Sequence, residues 1–89
     1  MADIDVMKED EETFQVTVRG STTTRHTVTL TKGYYDKLTG GAVSAETLIE
    51  KSFEFLLERE SNTMILSRFD LPVIGHYFPE YERAIVNRW

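Results

Sequence analysis

Arg25-His26-Thr27-Val28-Thr29-Leu30-Thr31 alternates without a break: His26, Val28 and Leu30 fall on one side of an extended chain, Arg25, Thr27, Thr29 and Thr31 on the other. A period of two is the mark of a half-buried strand. Immediately upstream, Thr13 to Arg19 repeats the pattern with Phe14, Val16 and Val18. Between the two runs lies Gly20-Ser21-Thr22-Thr23-Thr24, a segment of turn formers. Two alternating runs joined in this way predict an antiparallel hairpin. Its apolar side, Phe14, Val16 and Val18 beside Val28 and Leu30, needs a cover, because two strands alone are at best marginally stable in water.

Downstream residues supply that cover. Thr31 is placed to cap a short helix through Tyr34, Tyr35 and Leu38, which Gly40-Gly41 ends by supplying left-handed backbone. Ser44 caps the strongest helix, expected to run to about Glu60. At about 100° per residue, Ala45, Leu48, Ile49, Ser52, Phe53, Phe55, Leu56 and Leu57 occupy roughly half its circumference, so it is expected at the centre of the core. Ser61 or Asn62 then starts a helix carrying Met64, Ile65, Leu66 and Phe69. Pro72 and Pro79 open two further short helices, since proline suits a first turn. The expected fold is α+β: an N-terminal antiparallel β-hairpin packed on one long helix and several short helices, with residues 13–89 as a single domain.

Charge separates the first twelve residues from the rest. Residues 1–12 hold six acids, Asp3, Asp5, Glu9, Asp10, Glu11 and Glu12, against Lys8, a balance of 1 − 6 = −5. The remainder carries nine acids and nine bases, so the formal −5 of the chain comes from this stretch. It reads as an acidic flexible tail, solvated or poised for a basic partner. A neutral body lacks the basic surface of a strong non-specific nucleic-acid binder. With no cysteine there is no disulfide framework and no thiolate metal or redox site. No long apolar run or signal-like start is present, so no membrane partner is expected and the protein is read as cytoplasmic.

Catalytic chemistry is sparse. Thr31-Lys32-Gly33 lacks the remaining glycines and hydroxyl residue of a phosphate loop. His26 falls on the apolar side of its strand, where a core role is expected. His76 has Asp70 six residues before it but no evident nucleophile to serve. No catalytic residue, metal ligand set or cofactor is therefore expected. The outer face of the long helix carries Glu46, Glu50, Glu54 and Glu58 at successive i, i+4 positions, a repulsive row and the first candidate docking stripe for a basic protein partner. Tyr77-Phe78-Pro79-Glu80-Tyr81 reads either as an exposed aromatic patch or as part of the core, and the i, i+3 spacing of Phe78 and Tyr81 favours the core.

Residues 25–60 resemble the ribbon-helix-helix DNA-binding proteins, which include antitoxins and plasmid copy-number repressors. Arg25 to Thr31 looks like their ribbon, and Ser44-Ala45-Glu46-Thr47-Leu48-Ile49 like the start of their second helix. The resemblance implies a dimeric transcriptional regulator in which Arg25, Thr27 and Thr29 read bases in the major groove. Nucleic acid is a partner only on that alternative. A second likeness, running from Phe53 to Tyr81, is to small bacterial proteins with no assigned activity, and it carries no functional residue. The leading expectation is a non-catalytic binding or regulatory module acting through a protein partner.

Overall fold

The computed structural model describes residues 3–89. Four strands, β1 (Asp3–Lys8), β2 (Thr13–Arg19), β3 (Thr23–Thr29) and β4 (Arg68–Asp70), form one sheet in the order β1-β2-β3-β4. The first three are antiparallel, and β4 joins β3 in parallel. Between β3 and β4 run α1 (Lys32–Thr39), α2 (Ala45–Leu57) and a single 3-10 turn, Asn62–Met64. The chain ends in α3 (Val73–Tyr77) and α4 (Tyr81–Ile85).

The expected hairpin is β2 with β3, and it is the centre of a sheet rather than the whole of one. Residues 3–8 of the stretch read as a flexible tail form its edge strand, while the first two residues of that stretch lie outside the described residues. The reason is alternation: Ile4 and Val6 face inward opposite Val18 and Val16, and Asp3 and Asp5 face outward. Asp5 pairs with Arg19 of β2, which relieves part of the acidic charge. The turn that follows is closed by Glu9 N–H to the Thr13 carbonyl at 2.8 Å, and Asp10 accepts from the Glu12 amide at 3.1 Å. That amide and the Thr13 hydroxyl hold the Asp10 carboxyl below its ordinary range.

The second difference lies after α2, which stops at Leu57. The helix expected to carry Met64, Ile65, Leu66 and Phe69 is the 3-10 turn, an extended segment and β4. Ile65 and Phe69 are buried, with Val28 opposite Phe69 across the sheet. Other boundaries follow their local chemistry. The Thr31 hydroxyl accepts from Tyr34 N–H at 3.2 Å, the Ser44 hydroxyl from Thr47 N–H at 3.1 Å. Gly40 and Gly41 sit at φ 57° and 84°, left-handed backbone that a side chain would strain.

α2 packs across β1 and against α1 and α4, burying Leu48, Ile49, Phe53, Phe55 and Leu56. It also buries Ser52, whose hydroxyl donates to the Leu48 carbonyl at 2.7 Å and accepts from Tyr81 at 2.6 Å. Burial pushes the Tyr81 phenol above its ordinary value. Arg59 lies 3.6 Å from the Phe55 ring centre and bonds Glu80, so the far end of α2 is tied to the C-terminal helices. One sheet face is thereby covered, and the other stays open to solvent.

Candidate functional site

Five large apolar side chains are exposed among the described residues, and three of them, Met64, Leu66 and Tyr77, gather in one place. Local structure explains the gathering. In the extended segment Ile65-Leu66, neighbouring side chains point to opposite sides, so burying Ile65 turns Leu66 outward, 47% exposed. In α3, Ile74 is buried while Tyr77 stands out, 66% exposed. The two elements face each other across a cleft of about 170 Å³ lined by Glu60, Met64, Leu66, Tyr77 and Phe78. A smaller recess of about 30 Å³ lies beside it, with Glu60, Leu66, Tyr77 and Phe78 shared and Leu56, Phe69 and Ile74 added. This is an apolar groove with a single ionisable carboxylate at its rim.

That carboxylate, Glu60, is half-buried. Among the described residues it makes no ion pair. Its neighbour Arg59 is engaged by Phe55, Glu58 and Glu80. Desolvation by the surrounding apolar side chains raises the Glu60 carboxyl above its ordinary value.

Beneath the Leu66 wall, β3 supplies a polar mooring. The His26 ring is buried and tilted against Phe53, centroids 5.4 Å apart. Its Nδ1 lies 2.7 Å from the Leu66 carbonyl, an oxygen that can only accept, so the proton sits on Nδ1. Nε2 then accepts from the Thr24 hydroxyl at 2.9 Å. The Thr24 oxygen accepts in turn from the Asn62 amide at 3.0 Å, and Asn62 also donates to the Thr22 carbonyl at 2.7 Å. With Thr27 N–H bonded to the Ser67 carbonyl, residues 62–67 are held along the edge of β3. His26 thus takes the core position its alternation implies.

The glutamate row is unevenly engaged. Glu58 receives Arg88 through two bonds of 2.6 and 2.9 Å and also contacts Arg59; these cations, Arg88 foremost, draw its carboxyl below the ordinary range. Glu54 lies 3.6 Å from Lys51. Glu46 and Glu50 have no ion pair among the described residues. Internal cations thus engage the C-terminal half of the row and leave Glu46 and Glu50 unpaired among the described residues.

Arg25, Thr27 and Thr29 do share the open sheet face, and Arg25 is exposed. Their strand is interior, however: β2 occupies one edge, and β4 and the 62–67 segment the other. Neither edge is available to a partner's strand, so among the described residues β3 does not form the two-stranded ribbon implied by the resemblance. Four strands at about 4.8 Å spacing span about 14 Å, wider than the roughly 12 Å major groove. Thr27 donates to Gln15 at 3.2 Å, and Thr29 donates to Asp70. What the structure adds here is Arg68, opposite Thr27 on β4; like Arg25 it has no carboxylate partner among the described residues.

His76 and Asp70 are not brought together. Asp70 accepts from Thr29 on the sheet face, whereas His76 lines a polar cleft with Tyr34, Lys37 and Glu82. In that cleft the Tyr34 hydroxyl donates to Glu82 at 2.7 Å and Lys37 lies 3.4 Å from the same carboxylate. These contacts, the Tyr34 bond first, lower Glu82, and burial above all raises the Tyr34 phenol. In the aromatic segment, Tyr81 is core and Phe78 half-buried, but Tyr77 is free. Among the described residues no group of three or more His, Cys, Asp or Glu is placed to hold a metal ion, and no helix is long and apolar enough to cross a membrane.

The groove was missed by sequence reasoning because Ile65 and Leu66 also fit a helical face beside Phe69, at i, i+4 and i, i+3. Comparison with protein-family models, with curated proteins and with solved structures finds no match for this chain.

Proposed function

We propose that this protein is a non-catalytic, cytoplasmic binding module that takes a short segment of a partner protein into the groove between Leu66 and Tyr77. The observation that carries the reading is the convergence of Met64, Leu66 and Tyr77, exposed by 70%, 47% and 66%, on one cleft with a half-buried acid at its edge. Apolar side chains grouped around a recess have a direct use in binding, whereas scattered ones need no explanation. Methionine and tyrosine suit such a surface: the thioether adapts to different shapes, and the phenol buries a large ring while keeping a polar tip. A non-catalytic role is supported by the engagement of both His26 ring nitrogens and by the separation of His76 from Asp70.

Selection of a random dodecapeptide library against the immobilised protein tests this, with the bound peptides mapped by methyl shifts of Met64 and Leu66. Leu66→Ser is expected to weaken the selected peptides about tenfold, the usual loss of a contributing apolar contact. Peptides that bind with unchanged affinity to Leu66→Ser, or that leave both methyls unmoved, refute the reading.

The rival reading keeps Arg25, Thr27 and Thr29 as nucleic-acid contacts on the open sheet face. It is favoured by Arg25 and Arg68 on neighbouring strands of that face, with no ion pair among the described residues, and opposed by the net charge of −5 and the interior position of β3. It requires Arg25→Ala to weaken duplex binding and lower its salt dependence.

A further inference from the structure

We propose that the groove selects a cationic side chain, lysine or arginine within an otherwise apolar segment of the partner protein, with Glu60 as its counter-ion. This rests on the groove being the docking surface and names what that surface reads.

The molecule satisfies most of its helical acids internally. Glu54 has Lys51, Glu58 has Arg88, Glu80 has Arg59 and Glu82 has Lys37. Glu60 lines both parts of the groove and is left without a cation among the described residues. A carboxylate facing Leu66 and Phe78 has lost part of its hydration and gained nothing in exchange. The same burial raises its carboxyl above the ordinary value.

Three features fix the chemistry of the occupant. A ligand carboxylate or phosphate would face Glu60 across an apolar wall and a chain of formal charge −5, so anions are repelled. A purely apolar residue fills the cleft but leaves the carboxylate further desolvated than before. A lysine or arginine resolves both: its methylene stem lies along Leu66 and Met64 while its head reaches Glu60. The Tyr77 and Phe78 rings line the same cleft and offer faces to the cation.

Three probes of similar length separate the terms: hexylammonium as a lengthened analogue of the lysine side chain, hexan-1-ol as its neutral counterpart and hexanoate as the anion. Titration of the full chain near neutral pH is followed by the Met64 and Leu66 methyl signals. Hexylammonium is expected to bind at least about threefold more tightly than hexan-1-ol, the scale of a partly exposed ion pair, and hexanoate more weakly than either. In Glu60→Gln the preference for hexylammonium falls to about one. An acetylated, amidated Leu-Lys-Leu tripeptide is expected to bind tighter than hexylammonium, because its flanking side chains add contacts along the groove.

Equal affinity for hexylammonium and hexan-1-ol in the parent overturns the proposal while leaving the groove reading intact. A cation preference that survives Glu60→Gln overturns it too, by placing the recognition elsewhere. If none of the probes moves the two methyls, the groove reading itself falls. A tripeptide no tighter than the free amine refutes the partner-protein segment as the source of the cation.

Discussion

Replacing His26 by phenylalanine isolates the mooring of the groove wall. The substitution keeps a ring of similar size against Phe53, so the packing at 5.4 Å is largely retained. Lost are the Nδ1–H bond to the Leu66 carbonyl at 2.7 Å and the acceptor for the Thr24 hydroxyl at 2.9 Å. Thr24 is half-buried and keeps its bond from Asn62, so its hydroxyl can turn to water at little cost. The Leu66 carbonyl loses its side-chain donor, and an acceptor left unmade costs about 1–3 kcal/mol when buried. Partial solvent access along 62–67 puts the expectation at the lower end, about 1–2 kcal/mol. For a domain of this size a urea slope near 1 kcal/mol per molar turns that into a midpoint lower by about 1–2 M. The same change loosens the segment carrying Met64 and Leu66, so hexylammonium binding weakens and the Thr27 amide, bonded to Ser67, exchanges faster with solvent. A double-mutant cycle with Asn62→Ala is expected to show coupling of about 0.5 kcal/mol or more, since both residues meet at Thr24. A urea midpoint for His26→Phe within about 0.3 M of the parent, with Thr27 exchange unchanged, would refute the mooring.

Ser52→Ala is expected to destabilise more than Tyr81→Phe despite removing the same single oxygen. The serine variant strands the buried Tyr81 hydroxyl at a cost of about 1–3 kcal/mol, while the tyrosine variant leaves Ser52 its bond to Leu48 and costs about 1 kcal/mol; urea unfolding of both decides the order. Glu60→Gln is expected to raise the melting temperature slightly near neutral pH. A carboxyl raised in the folded state costs stability when ionised, and that cost disappears below its ordinary value of 4.5, so the gain vanishes in acid. The lowered Glu58, Glu80 and Glu82 act with the opposite sign: their stabilisation is present above 4.5 and is lost as pH falls through their folded values, read as a falling melting temperature in Glu60→Gln below pH 4.5. Glu50→Lys is expected to leave groove binding of hexylammonium within about twofold, because that glutamate lines neither part of the groove.

Much of the fold could be read from local pattern. Period-two runs placed β2 and β3, hydroxyl caps and Gly40 placed the limits of α1, and the wide apolar arc placed α2 at the core. The two strands that were missed fail for separate reasons. In β1 the alternation Asp3-Ile4-Asp5-Val6 is visible, yet the charge of the whole stretch outweighed it, and the Arg19 partner of Asp5 is fourteen residues away. β4 is three residues long, too short for any period to register, and exists because β3 offers an edge at Thr27 to Thr29. Its pairing is decided by a tertiary contact that no window around Phe69 contains.

The candidate site was harder to read for the same physical reason, taken one step further. Whether Leu66 is turned away from Ile65 depends on whether residues 64–66 are helical or extended, and the extended form is bonded through the Leu66 carbonyl to His26, forty residues upstream in sequence. In a helix, Ile65 and Leu66 would both have flanked the face of Phe69, at i, i+4 and i, i+3. The extended segment splits the pair, burying Ile65 and leaving Leu66 beside Tyr77 and Glu60. The glutamate row shows the converse. It is conspicuous in sequence, but Arg88 and Lys51 draw half of it into ion pairs that hold the fold. Charge is easy to count along a chain, whereas the lack of a counter-ion is a property of packing. Glu60 was the least conspicuous acid of α2 and its C-terminal turn in the sequence. Among the described residues it is the one that lines an apolar recess without a cation to answer it, so binding is expected to concentrate where the sequence shows least charge.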